Sequence, residues 1–241
     1  MSTSVPYGTY QWLCENRGKV ASWAVWENPP QILDPSLGLT TEGVGESGFF
    51  EVSNEQEYLA GVGKALRRDV VLVGLNPAMR VDASGTLVPD ERLFGCFHDS
   101  DTQKVKDHRL RAIAYHWGLW GALVIDLDTI TVETDSKVAL AKLLNQPGHR
   151  VACATQMKET LSHLASPPDA SLVFLGGDVE RCARLPEFKD LFSEHFFAPA
   201  KTIWHYSYRG GLEGRIRNAI EVLGEPLNPS GLWVPGRTDR P

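Results

Sequence analysis

The chain has 241 residues, of which 42% are hydrophobic and 22% are charged, enough apolar material for one substantial core without requiring a second domain. Its apolar runs are far shorter than the roughly 20 residues that cross a bilayer, and its N-terminus lacks a secretory signal pattern, so we expect a cytoplasmic protein with no membrane partner. The formal net charge of -6 excludes a global positive field that would draw the protein onto nucleic acid.

Residues 1–53 are rich in aromatic side chains and then in glycine and proline, and they predict only a short helix at residues 10–15. We interpret them as a family-specific extension packed on the core. From residue 54 onward, amphipathic segments alternate with short apolar runs. Helices are predicted at residues 55–66, 103–116, 136–144 and 156–164, within 187–196 and at 212–223, and strands at residues 69–75, 122–127, 150–154, 171–175 and 201–204.

Short apolar strands separated by amphipathic helices are typical of an α/β fold with a mainly parallel sheet covered on both faces. We predict a three-layer α-β-α sandwich around a central sheet of four or five strands. Residues 1–241 then form a single domain, in which residues 224–241 are a C-terminal tail.

The four cysteines are far apart in the sequence and form no C-x-x-C pair. This spacing excludes a zinc ribbon, a dithiol redox pair and a compact disulfide framework, and it favours buried free thiols. We expect neither a metal ion nor a cofactor, and we expect the chain to act as a monomer.

Polar or small residues follow four of the predicted strands, at residues 74–77, 126, 176–178 and 205–207. Each group alone is also typical of a turn. In parallel sheets, however, ligands bind at the carboxyl ends of the strands, so the joint occurrence of these groups predicts a site there.

Two of these strand ends resemble active-site motifs of the uracil-DNA glycosylase superfamily. Residues 70–78 (VVLVGLNPA) resemble the first motif of the mismatch-specific uracil and thymine glycosylases, a strand that runs into Gly-x-Asn-Pro-Gly. Residues 203–207 (IWHYS) resemble the second motif, a strand that ends in His-Pro-Ser or Asn-Pro-Ser. Residues 117–127 are also similar to a segment of an uncharacterised bacterial family related to these enzymes. The resemblance covers roughly residues 55–223.

The chain departs from these motifs at Ala78, where the family usually has glycine, and at Tyr206, where proline is expected. A separate Asn-Pro-Ser-Gly-Leu segment begins at Asn228 and matches the mismatch-specific form of the second motif in letters. Because no helix is predicted after it, we favour His205 over Asn228 for the second motif.

The resemblance implies that Asn76 positions the attacking water and that His205 donates a hydrogen bond to O2 of the departing pyrimidine. An aromatic side chain stacks on the flipped base, and by similarity we favour Phe97 over Phe94. Tyr208 and Arg209 lie where the family inserts a wedge into the duplex, and Arg209 is alternatively a phosphate contact. The remaining residues expected at the site are Gly74 and Pro77 in the base pocket and Arg80 and Ser207 on the DNA.

Asp126 departs from the uracil-specific members, which carry an asparagine at the corresponding strand end. The asparagine amide donates to O4 of uracil, whereas an ionised carboxylate only accepts hydrogen bonds and pairs instead with the N4 amino group of cytosine. A buried, unmatched acceptor costs about 1 to 3 kcal/mol, enough to favour a cytosine-type base. The other interpretation is that Asp126 or Asp128 caps a turn.

These features predict a monofunctional DNA glycosylase that hydrolyses the N-glycosidic bond of a flipped-out, modified pyrimidine. Because removal of ordinary cytosine would destroy the host genome, we expect a modified cytosine in phage DNA and a role in antiviral defence. One alternative is a hydrolase of free modified nucleosides or nucleotides, which the acidic net charge favours. Another is a non-catalytic sensor of modified bases on the same fold.

Overall fold

A five-stranded sheet forms the centre of the computed structural model, which describes residues 3–26, 49–77, 80–81, 87–88, 92–95, 107–131, 136–205 and 212–228. The strands of the described chain are β1 (Ser22–Trp23), β2 (Arg67–Gly74), β3 (Arg80–Val81), β4 (Leu87–Val88), β5 (Ala122–Asp126), β6 (Ser171–Leu175) and β7 (Lys201–Ile203).

The strand order in the main sheet is β1-β5-β2-β6-β7, and β3 pairs with β4 in a separate two-stranded sheet. β2 is central and parallel to both β5 and β6, β7 is parallel to β6, and only the edge strand β1 is antiparallel. The last five residues of β2 are buried, as expected of an apolar strand covered on both faces. The predicted α/β fold with a mainly parallel sheet is therefore confirmed.

Helices cover the sheet in two groups. The described helices are α1 (Tyr7–Arg17), α2 (Glu55–Ala60), α3 (Val62–Ala65), α4 (Asp107–His116), α5 (Ser136–Asn145), α6 (Pro147–Leu164), α7 (Gly177–Ala183), α8 (Pro186–His195) and α9 (Leu212–Leu223). The first group, connected by mutual contacts, comprises α1, α2, α3, α5, α6, α7 and α8, and in the second group α4 contacts α9. The crossovers from β2 to β5 and from β5 to β6 run in opposite directions, so their helices lie on opposite faces when both are right-handed. This arrangement is compatible with the predicted three layers.

The predicted strand at residues 150–154 is wrong, because these residues belong to the long helix α6. Pro147 occupies the first turn of this helix, where its fixed φ and missing N–H are tolerated. Buried side chains recur at helical spacing on one face, as Cys153, Met157, Leu161 and Leu164 show. Residues 150–154 are mostly small or apolar, so this short run by itself is also compatible with a strand. Its helical periodicity becomes visible only over the full length of α6.

Glycines explain two further differences from the predicted elements. The helix predicted over residues 55–66 is divided at Gly61 into α2 and α3. Helix α7 was not predicted, because Gly176 and Gly177 were interpreted as a turn. Gly176 instead has φ +114° as the N-cap, and Gly177 begins the helix.

The N-terminal segment contributes to the core and to the sheet itself. Trp23 is fully buried in the edge strand β1. Tyr10 of α1 and Tyr58 of α2 are also buried, and the hydroxyl of Tyr58 donates to the carbonyl oxygen of Val5 at 2.7 Å. Among the described helices, none combines the length and the apolar character needed to span a membrane.

Candidate functional site

The four parallel strands end at one edge of the sheet, which we call the carboxyl edge. Their last residues are Gly74, Asp126, Leu175 and Ile203. The chain leaves β2 toward β5 and leaves β6 toward β7, in opposite directions, so the ends of β2 and β6 form a topological switch point. Ligands of open α/β sheets bind in the crevice at such a point. The residues that follow β2 are therefore well placed to meet a ligand.

The side chain of Asp126 lies directly over the backbone of Gly74. The two residues are registered partners in the parallel pair of β2 and β5. A Cβ atom built on Gly74 would lie 2.1 Å from Oδ1 of Asp126, so this position accommodates only glycine while the carboxyl group stays in place. Backbone hydrogen bonds continue the strand pairing beyond this point, from the amide of Leu127 to Gly74 (3.0 Å) and from the amide of Asp128 to Leu75 (2.8 Å).

The environment of Asp126 favours a neutral carboxyl group. Burial, and then the charge of Asp128, raises the pKa of Asp126 to about 7, although part of the residue still contacts solvent. Within the described parts of the chain, no donor bonds the carboxyl oxygens of Asp126. The ionised carboxylate expected from the sequence only accepts hydrogen bonds. Near neutral pH the protonated form is also populated, and this form can donate a hydrogen bond as well. A carboxyl group with these properties at a strand end is typical of a functional site.

Asn76 follows β2 at the carboxyl edge and is partly exposed. Its Nδ2 donates to the carbonyl oxygen of Pro77 at 3.1 Å, which orients the amide. Pro77 itself is buried. The two residues therefore form a short, locally braced turn at the switch point.

Helix α9 and a glycine turn hold His205 at the end of β7. Nη2 of the fully buried Arg215 approaches the carbonyl oxygen of His205 at 3.5 Å, and Oδ1 of Asn218 accepts from the amide of Trp204 at 2.7 Å. A Cβ atom on Gly176 would lie 3.2 Å from Cβ of His205. The backbone after β7 is therefore fixed from two sides.

Asn76 and His205 lie at the same edge of the sheet but on strands that are not neighbours. Strand β6 lies between β2 and β7. Two strand spacings separate the two positions by roughly 10 Å. The two residues therefore lie on either side of the end of β6.

Asn228, the alternative to His205, lies elsewhere. Its Nδ2 donates to the carbonyl oxygen of Tyr115 at 3.0 Å, and its amide donates to that of His116 at 3.1 Å. Nδ1 of His116 also contacts the carbonyl oxygen of Asn228. These residues end α4, on the side where β5 begins, so Asn228 is at the edge of the sheet opposite Asn76.

A cleft of about 550 Å³ is also found at this opposite edge, and its lining includes Arg67, Val70, Trp117, Ser171 and Leu227. It contains none of the site residues predicted from the sequence. We therefore do not assign the predicted chemistry to it.

Of the remaining residues considered for the site, one belongs to the hydrophobic core and several lie outside the described parts of the chain. Phe94, the alternative to Phe97, is fully buried, and its ring contacts those of Tyr10, Trp23 and Phe50. It is therefore a core residue. Arg80 lies in β3. The predicted residues outside the described parts of the chain are Phe97, Ser207, Tyr208 and Arg209.

A second polar group, which we call the α6 cluster, consists of Asp128, His149 and Cys153. Nε2 of His149 lies 2.8 Å from Oδ2 of Asp128 and 3.6 Å from Sγ of Cys153. Sγ also lies 3.5 Å from Oδ1 of Asp128. The same Oδ1 accepts from the amides of Ile130 at 3.2 Å and Thr131 at 2.8 Å, so Asp128 caps a turn.

The α6 cluster lacks the arrangement of a nucleophilic cysteine. One imidazole nitrogen of His149 faces both partners, whereas a relay needs one ring nitrogen for each. Burial, and then the charge of Asp128, raises the pKa of Cys153 to about 12, and the amide and hydroxyl of Thr129 oppose this only in part. Such a thiol is not a thiolate near neutral pH. The oxygen, nitrogen and sulfur atoms instead have the composition of a metal-binding set.

The sequence did not single out the α6 cluster or the buried Arg215. His149 and Cys153 are four residues apart, a spacing that places both on one helix face. That signal was hidden by the strand predicted at residues 150–154. The burial of Arg215 behind His205 depends on how α9 packs, which the local sequence pattern does not reveal.

Comparison with known proteins adds no relative: no family model matches the chain, and no curated protein or solved structure was found to match it.

Proposed function

We propose that the chain is a DNA glycosylase that hydrolyses the N-glycosidic bond of a flipped-out, modified pyrimidine. One observation carries this proposal: the carboxyl group of Asp126, without a hydrogen-bond donor among the described residues, lies over Gly74 at the edge where Asn76 and His205 also lie. An enzyme that cleaves a base extruded from DNA needs a group that recognises the hydrogen-bonding edge of the base. It also needs groups that act on the sugar and on the leaving base.

Asn76 orients the water that attacks the sugar. An amide is not a strong base, so the rate depends mainly on stabilising charge on the departing base. His205 donates a hydrogen bond to O2 of that base, for which a neutral imidazole suffices. Helix α9 contacts the backbone of Trp204 and His205, and Gly176 lies close to Cβ of His205, so both support this role by limiting the movement of His205.

Asp126 recognises position 4 of the pyrimidine. The carboxyl group has an acceptor in both of its protonation states, and the N4 amino group of cytosine is a donor, so this pair is matched in either state. O4 of uracil or thymine needs a donor, which only the protonated state supplies. We therefore propose a cytosine-type base. The base must be modified, because an enzyme that removed ordinary cytosine would destroy its own genome, and phage DNA is a source of modified cytosines.

Contacts with DNA complete the proposal. Phe97 stacks on the base, Tyr208 and Arg209 enter the duplex or grip phosphate, and Arg80 and Ser207 contact the backbone. Because the net charge is -6, the positive charge that meets the phosphates must be concentrated in a local part of the surface. We place this activity in the cytoplasm, in antiviral defence, and in a monomer.

The test incubates the protein with matched duplexes that contain uracil, a thymine mismatch, cytosine, 5-hydroxymethylcytosine or glucosylated 5-hydroxymethylcytosine. Released base is identified by mass spectrometry and abasic sites are detected by alkaline cleavage. We expect release from a modified-cytosine duplex alone. Release of uracil alone would contradict the proposed base, and specific binding without release would indicate a sensor.

The acidic net charge favours a second candidate, a hydrolase of free modified nucleosides or nucleotides. The same assay with free nucleosides separates the two. Duplex binding that weakens steeply with salt supports the DNA enzyme, because counterion release requires several phosphate contacts. Release from nucleosides together with salt-insensitive, negligible DNA binding would select the second candidate.

A further inference from the structure

We propose that the α6 cluster is a binding site for one zinc-class divalent transition-metal ion, with Oδ2 of Asp128, Nε2 of His149 and Sγ of Cys153 as ligands. The cluster connects the segment after β5 to helix α6. This inference does not depend on the glycosylase proposal.

The separations between the three side chains fit tetrahedral coordination. Typical zinc bond lengths place a nitrogen and an oxygen ligand roughly 3.3 Å apart, and a sulfur ligand roughly 3.5 Å from either of them. Sγ of Cys153 lies 3.6 Å from Nε2 of His149, and the ligand atoms that the three side chains offer all lie within 4.8 Å of one another. The 2.8 Å contact between Nε2 and Oδ2 must open by about half an ångström to admit the ion.

The ligand types select the metal. Calcium and magnesium ions prefer sets of oxygen ligands, whereas a thiolate together with an imidazole suits zinc and its borderline-soft neighbours. The thiol of Cys153 releases its proton to solvent when the metal–sulfur bond forms.

The surroundings of the cluster resemble the outer shell of a metal site. The amides of Ile130 and Thr131 hold Oδ1 of Asp128, which leaves Oδ2 directed at His149. Outer hydrogen bonds of this kind orient ligating carboxylates.

A fourth ligand position is left for water. The hydroxyl of Thr129 is buried beside Cys153 and adds a further polar group next to this open position. The His149 side chain is 14% exposed, whereas that of Asp128 is fully buried, so solvent reaches the cluster from the histidine side.

The test titrates Co²⁺ and then Zn²⁺ into the full chain after dialysis against a chelator. We expect one Co²⁺ per chain, with the near-ultraviolet absorption of a cobalt–thiolate bond, and displacement of Co²⁺ by Zn²⁺. Zn²⁺ should also raise Tm. No absorption band and no shift in Tm with either ion would overturn the proposal without any variant.

Variants assign the ligands. Cys153→Ser should abolish the absorption band and weaken Zn²⁺ binding at least about tenfold, and His149→Gln should weaken binding similarly while keeping the band. The matched control is Cys182→Ser, because Cys182 of α7 is also a buried free thiol but lies outside the cluster. A band that persists in Cys153→Ser, or that Cys182→Ser also removes, would overturn the assignment. If circular dichroism shows Cys153→Ser to be unfolded, unchanged binding by His149→Gln would overturn it instead.

Discussion

The carboxyl group of Asp126 occupies the space that a side chain on Gly74 would need, since a Cβ atom there would lie 2.1 Å from Oδ1. The glycine of the first motif-like segment and the acid at the end of the neighbouring strand are therefore one structural unit. A change at either residue acts on the other, which makes the pair accessible to experiment.

Gly74→Ala should move the Asp126 carboxyl group and destabilise the protein. Overpacking a buried site costs about 1 to 3 kcal/mol. If the proposed function holds, displacement of the carboxyl group should also remove most base release. Thermal or urea unfolding measures the first effect, and the abasic-site assay measures the second.

The double variant Gly74→Ala/Asp126→Ala tests the cause. Without the carboxyl group, the alanine at position 74 should cost much less, which corresponds to a coupling energy of about 0.5 to 3 kcal/mol. Gly8→Ala in α1, where a Cβ meets no atom within 4 Å, is the control and should not destabilise. Additive effects of the two substitutions would show that the clash does not determine the stability.

Asp126→Asn should shift base preference toward uracil. The amide always has a donor for O4, whereas the carboxyl group has one only when protonated. The ratio of kcat/KM for uracil over the cytosine-type substrate should rise roughly 5- to 150-fold, equivalent to about 1 to 3 kcal/mol. Competition between the two duplexes in one reaction measures this ratio directly. An unchanged ratio would mean that Asp126 does not contact the base.

His205→Gln and Asn228→Ala should differ in their effects on activity. Loss of a donor to developing charge costs roughly 10² to 10³ in kcat, so His205→Gln should be strongly impaired in single-turnover base release. Asn228 is bonded to the end of α4 at the opposite edge of the sheet, so Asn228→Ala should release base at the normal rate. The reverse result would transfer the second motif to Asn228.

The adjacent glycines of the β6–α7 turn offer a matched pair. Gly176 has φ +114° and its added Cβ would press on His205, whereas Gly177 has no atom within 4 Å of such a Cβ. Gly176→Ala should cost about 1 to 3 kcal/mol of stability through backbone strain, and it should reduce base release by disturbing His205. Gly177→Ala should leave both unchanged, and Tm with single-turnover kinetics distinguishes the two variants. Equal effects would contradict the proposed support of His205 by Gly176.

Local pattern was sufficient to predict most of the elements. Strand β6 and helix α9 begin and end at the predicted residues, and β2 and β5 differ from their predictions by two residues or fewer at each end. The spacing of apolar residues along a segment reflects its type of secondary structure and whether one or two of its faces are buried. Element type can therefore be predicted from the sequence. The wrong strand prediction at residues 150–154 also comes from relying on local pattern, because a short apolar run is compatible with both a strand and part of a buried helix face.

The amino-acid sequence by itself determined the fold class and the strand ends at which polar residues accumulate. The tertiary structure alone decided that β6 separates β2 from β7, that Asn228 lies at the far edge, and that Asp126 rests on Gly74. It also decided the raised pKa of Asp126 and brought Asp128 to His149 and Cys153. The physical reason is that strand order, burial and the distance between residues far apart in the chain arise from packing, which local periodicity does not encode.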